Sequence, residues 1–432
     1  MDFDGIELTE EQSTAALLIY DWFMNSRKPY FVLTGYAGTG KTFLVNYVIK
    51  MVLNIDINKV AFIAPTGKAA MVLLQRGNKG ASTLHHLIYN IVENDKDDGK
   101  KKDDKKEFRF IKKPELSPKP KLIVLDEASM VDDKTFEDLC SFKVPILCLG
   151  DTGQLPPVMG NSKILEKPDA QLTEIMRQEK DDPIVSFATM ARTGEPLPFG
   201  NYGSVEVYDR NYLTQDSLKE ILMSADQILT GTNNSVSRLN KLYKGYLGMD
   251  PKNVNVGEKV ICLQNNWEQY LDSDKQFSLV NGCVGTVVDY RVDNPDEKIG
   301  LMSFKPEFLT DITHNLAFDL GLFYVGKETY PDRQLVNIYK DDEGVRTAIY
   351  KSPKGIKDKK VASRIYMNNI EASAQKPLNL FRPAYAITVH KSQGSEWDTV
   401  VVIDQGDIFG SDASKWRYTA FTRARKKLII LR

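Results

Sequence analysis

Tyr30-Phe31-Val32-Leu33-Thr34-Gly35-Tyr36-Ala37-Gly38-Thr39-Gly40-Lys41-Thr42 is the stretch on which the fold turns. Its first part, Tyr30–Thr34, is aromatic, aliphatic and β-branched, and reads as a buried strand. Gly35–Thr42 matches G-x-x-x-x-G-K-[ST], and an amphipathic stretch, Phe43–Met51, predicts a helix straight after it. In such a strand–loop–helix unit Gly35, Gly38 and Gly40, with Ala37 and Thr39 between them, let backbone N–H groups close around phosphate oxygens. The helix N-terminus adds partial positive charge. Lys41 then reaches the β- and γ-phosphates, and the Thr42 hydroxyl ligates Mg²⁺.

On either side of this stretch, further short apolar runs alternate with helix-like stretches, the signature of parallel α/β domains. The clear strands are Val60–Ala64, Lys121–Leu125, Val144–Leu149, Gln227–Thr230 and Thr399–Ile403. Lys121–Leu125 runs into Asp126-Glu127. A carboxylate at the end of a buried strand suits the water shell of Mg²⁺, the role expected of Asp126, and Glu127 is placed to take a proton from an attacking water. A phosphate loop followed by this acidic pair points to NTP hydrolysis with Mg²⁺ as cofactor.

Composition bounds the rest. The chain has 432 residues, enough for two to four domains at roughly 150 residues each. Lys and Arg number 57 against 58 Asp and Glu, so a polybasic binder is excluded, though a local basic groove is not. The 4 cysteines form no C-x-x-C pair and no zinc spacing, which argues against a disulfide scaffold or a zinc finger. No apolar run approaches about 18 residues, and the acidic start Met1-Asp2-Phe3-Asp4 has no signal-peptide character. A cytoplasmic protein without membrane association is expected.

Two stretches break the α/β pattern. Residues 95–107 hold six Lys, five Asp and one Glu around a single Gly, a run too polar to pack. It lies between Leu87–Val92 and Phe108–Lys112, both read as strands, so a β-hairpin standing out of the first domain is expected. Residues 251–377 are rich in turn signals and short strands (Lys259–Leu263, Gly285–Tyr290, Leu335–Tyr339, Arg346–Tyr350), which fits a small β-barrel-like insertion with Lys351–Lys360 as a basic loop.

What the hydrolysis drives is carried by other motifs. Leu8–Gln12, Ala64–Ala70 (APTGKAA), Ser82–His86 (STLHH), Gly150–Val158 (GDTGQLPPV), Leu172–Gln178 (LTEIMRQ), Val280–Val287 (VNGCVGTV), Thr388–Glu396 (TVHKSQGSE) and Tyr418–Ala424 (YTAFTRA) occur in that order. Taken together the chain resembles a superfamily 1B DNA helicase of the RecD/Dda group, most like the compact Dda type. The resemblance spans almost the whole length. It implies two tandem RecA-like P-loop domains with a pin hairpin in the first and an SH3-like β-barrel in the second. The boundaries expected are 1–84 and 114–170 for domain 1, 85–113 for the pin, 171–250 and 378–432 for domain 2, and 251–377 for the insertion.

The same resemblance gives roles to individual residues. It implies that Gln12 reads adenine and that Gly394 and Glu396 lie near the nucleotide. Thr66, Lys68, Thr83, His85, Pro156, Thr232, Asn233, Thr388, His390 and Lys391 resemble positions facing single-stranded DNA. Hydroxyls, amides and imidazoles suit that task because they bond phosphate oxygens without reading bases. Arg177 and Arg423 lie far downstream of the phosphate loop. Charge spread over the γ-phosphate in the transition state needs such an outside cation, and guanidinium supplies it in bidentate form. Gln154, one strand beyond Asp126, is placed to sense the γ-phosphate or its water. Phe108, Phe110 and Tyr89 are suited either to stack on bases or to pack the hairpin against its domain.

The expected function is ATP-dependent, 5′-to-3′ translocation on single-stranded DNA with unwinding of the duplex ahead, in replication, recombination or repair. The expected partners are single-stranded and forked duplex DNA, with single-strand-binding or replication proteins beside them and the helicase itself a monomer. The setting it implies is a bacterial or phage-infected cell. A translocase that strips bound proteins without productive unwinding would use the same motor. A metabolite kinase would share the phosphate loop but not the later motifs.

Overall fold

The structure, a computed structural model, describes residues 7–78, 80–93, 108–156, 163–175, 182–251, 253–273, 277–294, 299–320, 323, 334–340, 346–351 and 379–432. The charged tip at 95–107, Arg177 and most of the basic stretch 351–360 lie outside them. The chain divides into two compact units, one of residues 1–221 with 389–432 and the other of residues 222–388.

The first unit is built on a six-stranded sheet in the order β3-β2-β6-β7-β1-β8. These strands are β1 (Tyr30–Gly35), β2 (Val60–Ala64), β3 (Ser82–Thr83), β6 (Leu122–Leu125), β7 (Ile146–Gly150) and β8 (Ala170–Leu172). All its pairings are parallel. Side chains alternate between the two faces, and both faces are covered, as parallel sheets require. Phe31, Leu33, Leu122, Val124, Leu147 and Leu149 pack against α1 (Glu10–Asn25) and α2 (Lys41–Tyr47). Val32, Ile123, Leu125, Ile146 and Cys148 pack against α4 (Leu84–Ile88) and α5 (Asp133–Cys140).

The consequence for function is geometric. β6, β7 and β1 are parallel neighbours, so the residues that follow them emerge along one edge of the sheet. Leu125 pairs with Cys148, and Thr34 with Gly150. Asp126-Glu127, Asp151 and the Gly35–Thr42 loop therefore gather where open α/β sheets carry their ligands.

The same unit holds β9 (Gly200–Asn201), β10 (Val205–Tyr208), β22 (Trp397–Ile403) and β23 (Ala424–Leu431), with β23 parallel to both β22 and β10. Against them pack α6 (Pro183–Thr193) and α10 (Ala413–Phe421). A short helix α9 (Val389–Ser392) precedes β22, and α3 (Gly67–Gln75) follows β2.

Two local expectations need correction. Leu87–Val92 is not one strand, because Leu87 and Ile88 end α4 and the strand β4 is Tyr89–Glu93. The Thr83 side chain caps that helix by accepting the His86 N–H, and Leu84 and Ile88, one turn apart, are both buried. The helix after the phosphate loop is α-helical only over Lys41–Tyr47 and continues as a π-helical turn, Val48–Val52. The two strands expected to flank the charged tip are paired: β4 runs antiparallel to β5 (Phe108–Lys112), Tyr89 opposite Lys112 and Glu93 opposite Phe108.

The helix α7 (Gln215–Met223) leads to the second unit. There β11 (Gln227–Thr230) pairs in parallel with β21 (Ala386–Thr388), and Asn240 of α8 (Asn233–Tyr246) bonds both the N–H and C=O of Ala386. The remaining strands are antiparallel. A five-stranded sheet runs β17 (Thr313–Asp319), β16 (Ile299–Pro306), β15 (Val284–Asn294), β12 (Lys259–Cys262) and β20 (Phe381–Pro383), beside the pairs β13 (Asn266–Tyr270) with β14 (Ser278–Leu279) and β18 (Gln334–Lys340) with β19 (Arg346–Lys351). This antiparallel content agrees with the turn-rich pattern of 251–377. No helix among the described residues is long and apolar enough to cross a membrane, and all four cysteines are free thiols.

A buried ion pair ties α8 to the start of that antiparallel region. Lys244 Nζ lies 2.8 Å from Glu258 Oε1, with the two side chains 1% and 0% exposed, and donates to Asn253 O at 2.6 Å. Lys244→Met is expected to lower stability by about 3–5 kcal/mol, since it leaves a buried carboxylate without its cation. Adding Glu258→Leu to it should recover much of the loss. Denaturant midpoints of the single and double variants check this, and an unchanged midpoint for Lys244→Met would contradict it.

Candidate nucleotide site and nucleic-acid-facing residues

The phosphate loop takes its shape from glycine. Gly38 and Gly40 have φ of 81° and 79°, a left-handed backbone that favours residues without Cβ. Thr39 is buried, and its hydroxyl donates to Tyr36 O at 2.9 Å. The Lys41 ammonium folds back over the loop and donates to Gly35 O at 2.6 Å and Tyr36 O at 2.9 Å. Gln12 is buried on α1. It forms a capping box with Thr9, and its Nε2 donates to Thr39 O at 3.4 Å, so it braces the loop from behind.

The acidic pair sits on the next strand but one. Glu127 adopts a left-handed backbone, φ 52°, and its N–H donates to Asp126 Oδ1 at 2.9 Å. A non-glycine residue in that conformation is strained, and such strain collects at functional sites. Burial and the adjoining Asp126 push the Glu127 carboxyl up to about 7, against the pull of Arg423 and Lys41. Burial likewise raises Asp126, opposed by its bond to the Glu127 N–H and by the charges of Arg76 and Lys41. Lys41 from the loop and Arg423 from the chain's last turn before β23 thus act on one carboxylate.

Arg423 is 4% exposed, and its guanidinium is oriented by its own surroundings. Nε donates to Thr419 O at 3.0 Å, Nη1 to Ser395 O at 3.2 Å and Nη2 to Thr422 Oγ1 at 3.0 Å. The segment after β7 is laced to the same helix. Asp151 Oδ1 accepts the Gly153 N–H, Oδ2 accepts Gln154 Nε2 at 3.3 Å, and Leu155 N–H donates to Thr419 Oγ1 at 3.0 Å. Gln393 Nε2 reaches Leu155 O at 3.1 Å.

These strand ends, loop and arginine share one carboxylate, Glu127, and their chemistry suits phosphate binding. An AAA domain family model matches residues 7–210, and a UvrD-like helicase C-terminal domain matches residues 383–431. The ATP-dependent DNA helicase dda of Enterobacteria phage T4 is 26% identical over 318 residues, covering 67% of this chain and 69% of its own. The ATP-dependent RecD2 DNA helicase of Deinococcus radiodurans is 26% identical over 436 residues, 97% of this chain and 48% of its own. The chain is thus similar in sequence to proteins named ATP-dependent DNA helicases. It spans only 36% of another relative, an uncharacterized Methanocaldococcus jannaschii protein that is 26% identical. Among solved structures, Pif1 helicase from Bacteroides in complex with ADP-AlF3 and ssDNA aligns with a TM-score of 0.51 at 18% identity, over 98% of this chain and 92% of that one. The α/β fold with its parallel sheet is that of the RecA-like domains of Pif1 helicases.

The threonines expected to face DNA share a local role. Thr66, Thr83 and Thr232 are the N-caps of α3, α4 and α8, each accepting a backbone N–H three residues on. Capping uses an oxygen lone pair and leaves the hydroxyl proton to donate. Asn233 opens α8, and Thr388 ends β21. Lys68 lies over the Trp397 ring at 5.0 Å, Gly394 abuts Ala69, and Glu396 is 4.0 Å from Arg76, so the segment 394–397 runs along α3. His85 clusters with Tyr89 and Phe110, ring centroids 5.4–5.9 Å apart, and Phe110 is exposed. His390 packs 5.5 Å from Phe409 on α9, beside Lys391. Burial lowers the pKa of both histidines, so they are neutral donors at pH 7. Pro156 is exposed after Leu155. The side chain of Phe108, like Arg177, falls outside what the structure describes.

Sequence reasoning passed over Tyr418, Asp151, Tyr36 and Arg192. Tyr418 bonds both Ala37 N–H and Asp151, and Arg192 Nη1 donates to the Tyr36 hydroxyl at 3.0 Å. Tyr36, Asp151 and Tyr418 lie within the sequence motifs, the one available signal. Nothing local says that two residues 267 apart in sequence should meet.

Proposed function

We propose that this chain is an ATP-dependent DNA helicase that moves 5′-to-3′ along single-stranded DNA and opens duplex ahead of it. The observation that carries the reading is that Lys41 and Arg423, from two separate parts of the chain, both act on the buried Glu127 carboxyl. Hydrolysis of a nucleotide held by all three is felt at once by the sheet bearing the phosphate loop and by the segment bearing Arg423, which is what a motor needs. The relatives named ATP-dependent DNA helicases, in phage T4 and Deinococcus, support the same activity here.

The roles follow residue by residue. The loop amides of Gly35–Thr42 and Lys41 hold the phosphates, Glu127 takes the proton of the attacking water, and Arg423 with Arg177 stabilises charge on the transferred phosphoryl group. Gln154 orients the water or the γ-phosphate, while Gln12, Gly394 and Glu396 complete the nucleotide's surroundings. Mg²⁺ fits this donor set. Asp126 and Thr42 would hold it, and the raised pKa of buried Asp126 marks a carboxylate whose charge a cation would relieve. When bound, Mg²⁺ would neutralise charge on the phosphates.

DNA is held by Thr66, Lys68, Thr83, His85, Pro156, Thr232, Asn233, Thr388, His390 and Lys391. The β4–β5 hairpin serves as the strand-separating pin with Phe108 near its end, and the antiparallel region of 251–377 is the SH3-like insertion of the second RecA-like domain. The partners are forked duplex with a single-stranded tail and, in the cytoplasm, the replication or single-strand-binding proteins found with it.

ATPase and unwinding assays on forks carrying either a 5′ or a 3′ single-stranded tail test the proposal. Opening of the 5′-tailed fork alone is the expected result. Opening of only the 3′-tailed fork would reverse the polarity, and ATPase stimulated by single strands without any unwinding would leave a translocase.

A further inference from the structure

Tyr418 lies on α10, outside both the phosphate loop and the acidic strand end, and is 3% exposed. Its phenolic oxygen accepts the Ala37 N–H at 2.9 Å, while its O–H donates to Asp151 Oδ2 at 2.9 Å. The ring is fixed independently of the hydroxyl. It meets Tyr36 edge to face at 6.4 Å and packs so close to Gly153 that a Cβ there would lie 2.9 Å from the ring. Tyr36 is itself gripped by Arg192, whose guanidinium stands 4.0 Å over its ring. Burial and the Asp151 charge raise the Tyr418 pKa, so the group remains a neutral phenol that can accept and donate at once.

The Ala37 N–H belongs to the loop whose amides, on the function proposed above, bind nucleotide phosphate. One N–H makes one good hydrogen bond, so a phosphate oxygen and the Tyr418 oxygen compete for it. Asp151, the other partner of Tyr418, is what holds Gln154, and the Gln154 Oε1 is buried with no hydrogen-bond partner among the described residues. Among these residues the Gln154 side chain therefore has its one hydrogen bond through the amide nitrogen to Asp151, and a shift of that carboxylate is passed to it.

We propose that Tyr418 is a positioning residue that reports occupancy of the phosphate loop: it holds the Ala37 amide until a nucleotide phosphate takes that N–H, and its release resets Asp151 and Gln154 for hydrolysis. The inference rests on the ATP-hydrolysis reading. It adds a residue acting through Gln154 and the loop, without contact with the reacting atoms.

Tyr418→Phe keeps the ring and removes both hydrogen bonds. With its competitor gone, the Ala37 amide should bind AMP-PNP roughly threefold to tenfold more tightly, the worth of about one hydrogen bond. Over the same substitution kcat for ATP hydrolysis should fall, because Asp151 loses the phenol donor that positions it and, through it, Gln154. Tighter binding with slower turnover separates this from a structural role, which would weaken both together. Unchanged or weaker AMP-PNP binding would overturn it. If the variant does not fold, 3-fluorotyrosine placed at position 418 serves instead: its ¹⁹F resonance should move on adding AMP-PNP, and a static resonance overturns the proposal. A parent protein that neither binds AMP-PNP nor hydrolyses ATP would instead remove the reading beneath it.

Discussion

Arg423→Ala is expected to lower kcat for ATP hydrolysis roughly a thousandfold or more while leaving AMP-PNP binding largely intact. The expectation comes from where the guanidinium is held. Two of its nitrogens are spent on the carbonyls of Thr419 and Ser395, which fix its plane, and its charge acts on the Glu127 carboxyl. A cation pre-set in this way stabilises charge that develops only in the transition state, so its loss shows in turnover rather than in ground-state affinity. Arg423→Lys should restore little, because an ammonium lacks the planar fork that meets the two carbonyls and a phosphoryl oxygen together. Single-turnover hydrolysis beside AMP-PNP titration makes the measurement. Turnover in Arg423→Ala near that of the parent would defeat the shared-pocket reading.

The second large effect is expected at Glu127. Glu127→Gln keeps size and hydrogen-bonding shape but removes the base, and kcat should drop on the order of a hundredfold to ten-thousandfold with nucleotide binding preserved. A carboxyl pushed up to about 7 by burial and by Asp126 is poised for proton abstraction near neutral pH. The same burial means that the neutral amide relieves a charge the fold holds at a cost, so the melting temperature should not fall. A variant that hydrolyses ATP normally would move the base elsewhere. One that loses nucleotide binding as well would give Glu127 a ground-state role instead.

The parts of this site that were legible in the sequence are those in which neighbours along the chain set the geometry. Gly35–Thr42 follows a strand and opens a helix because its residues leave few other backbone states, and Asp126-Glu127 ends a strand whose every residue is apolar. The pairing of β4 with β5 was legible from apolar runs flanking a charged tip. The misreading of Leu87–Val92 has a local cause too: Thr83 supplied a cap whose pull on the next turn outweighed the β-branched run after it.

Periodicity, glycine placement and capping act over a few residues, and they suffice for the parallel sheet, the phosphate loop and the acidic strand end. Long-range packing alone sets Tyr418 between Ala37 and Asp151, turns Arg423 and Lys41 on one carboxylate and buries Lys244 against Glu258. Such partners are chosen by the packing of elements far apart in the chain. A buried polar group must find some partner when water is excluded, but its own neighbours do not specify which.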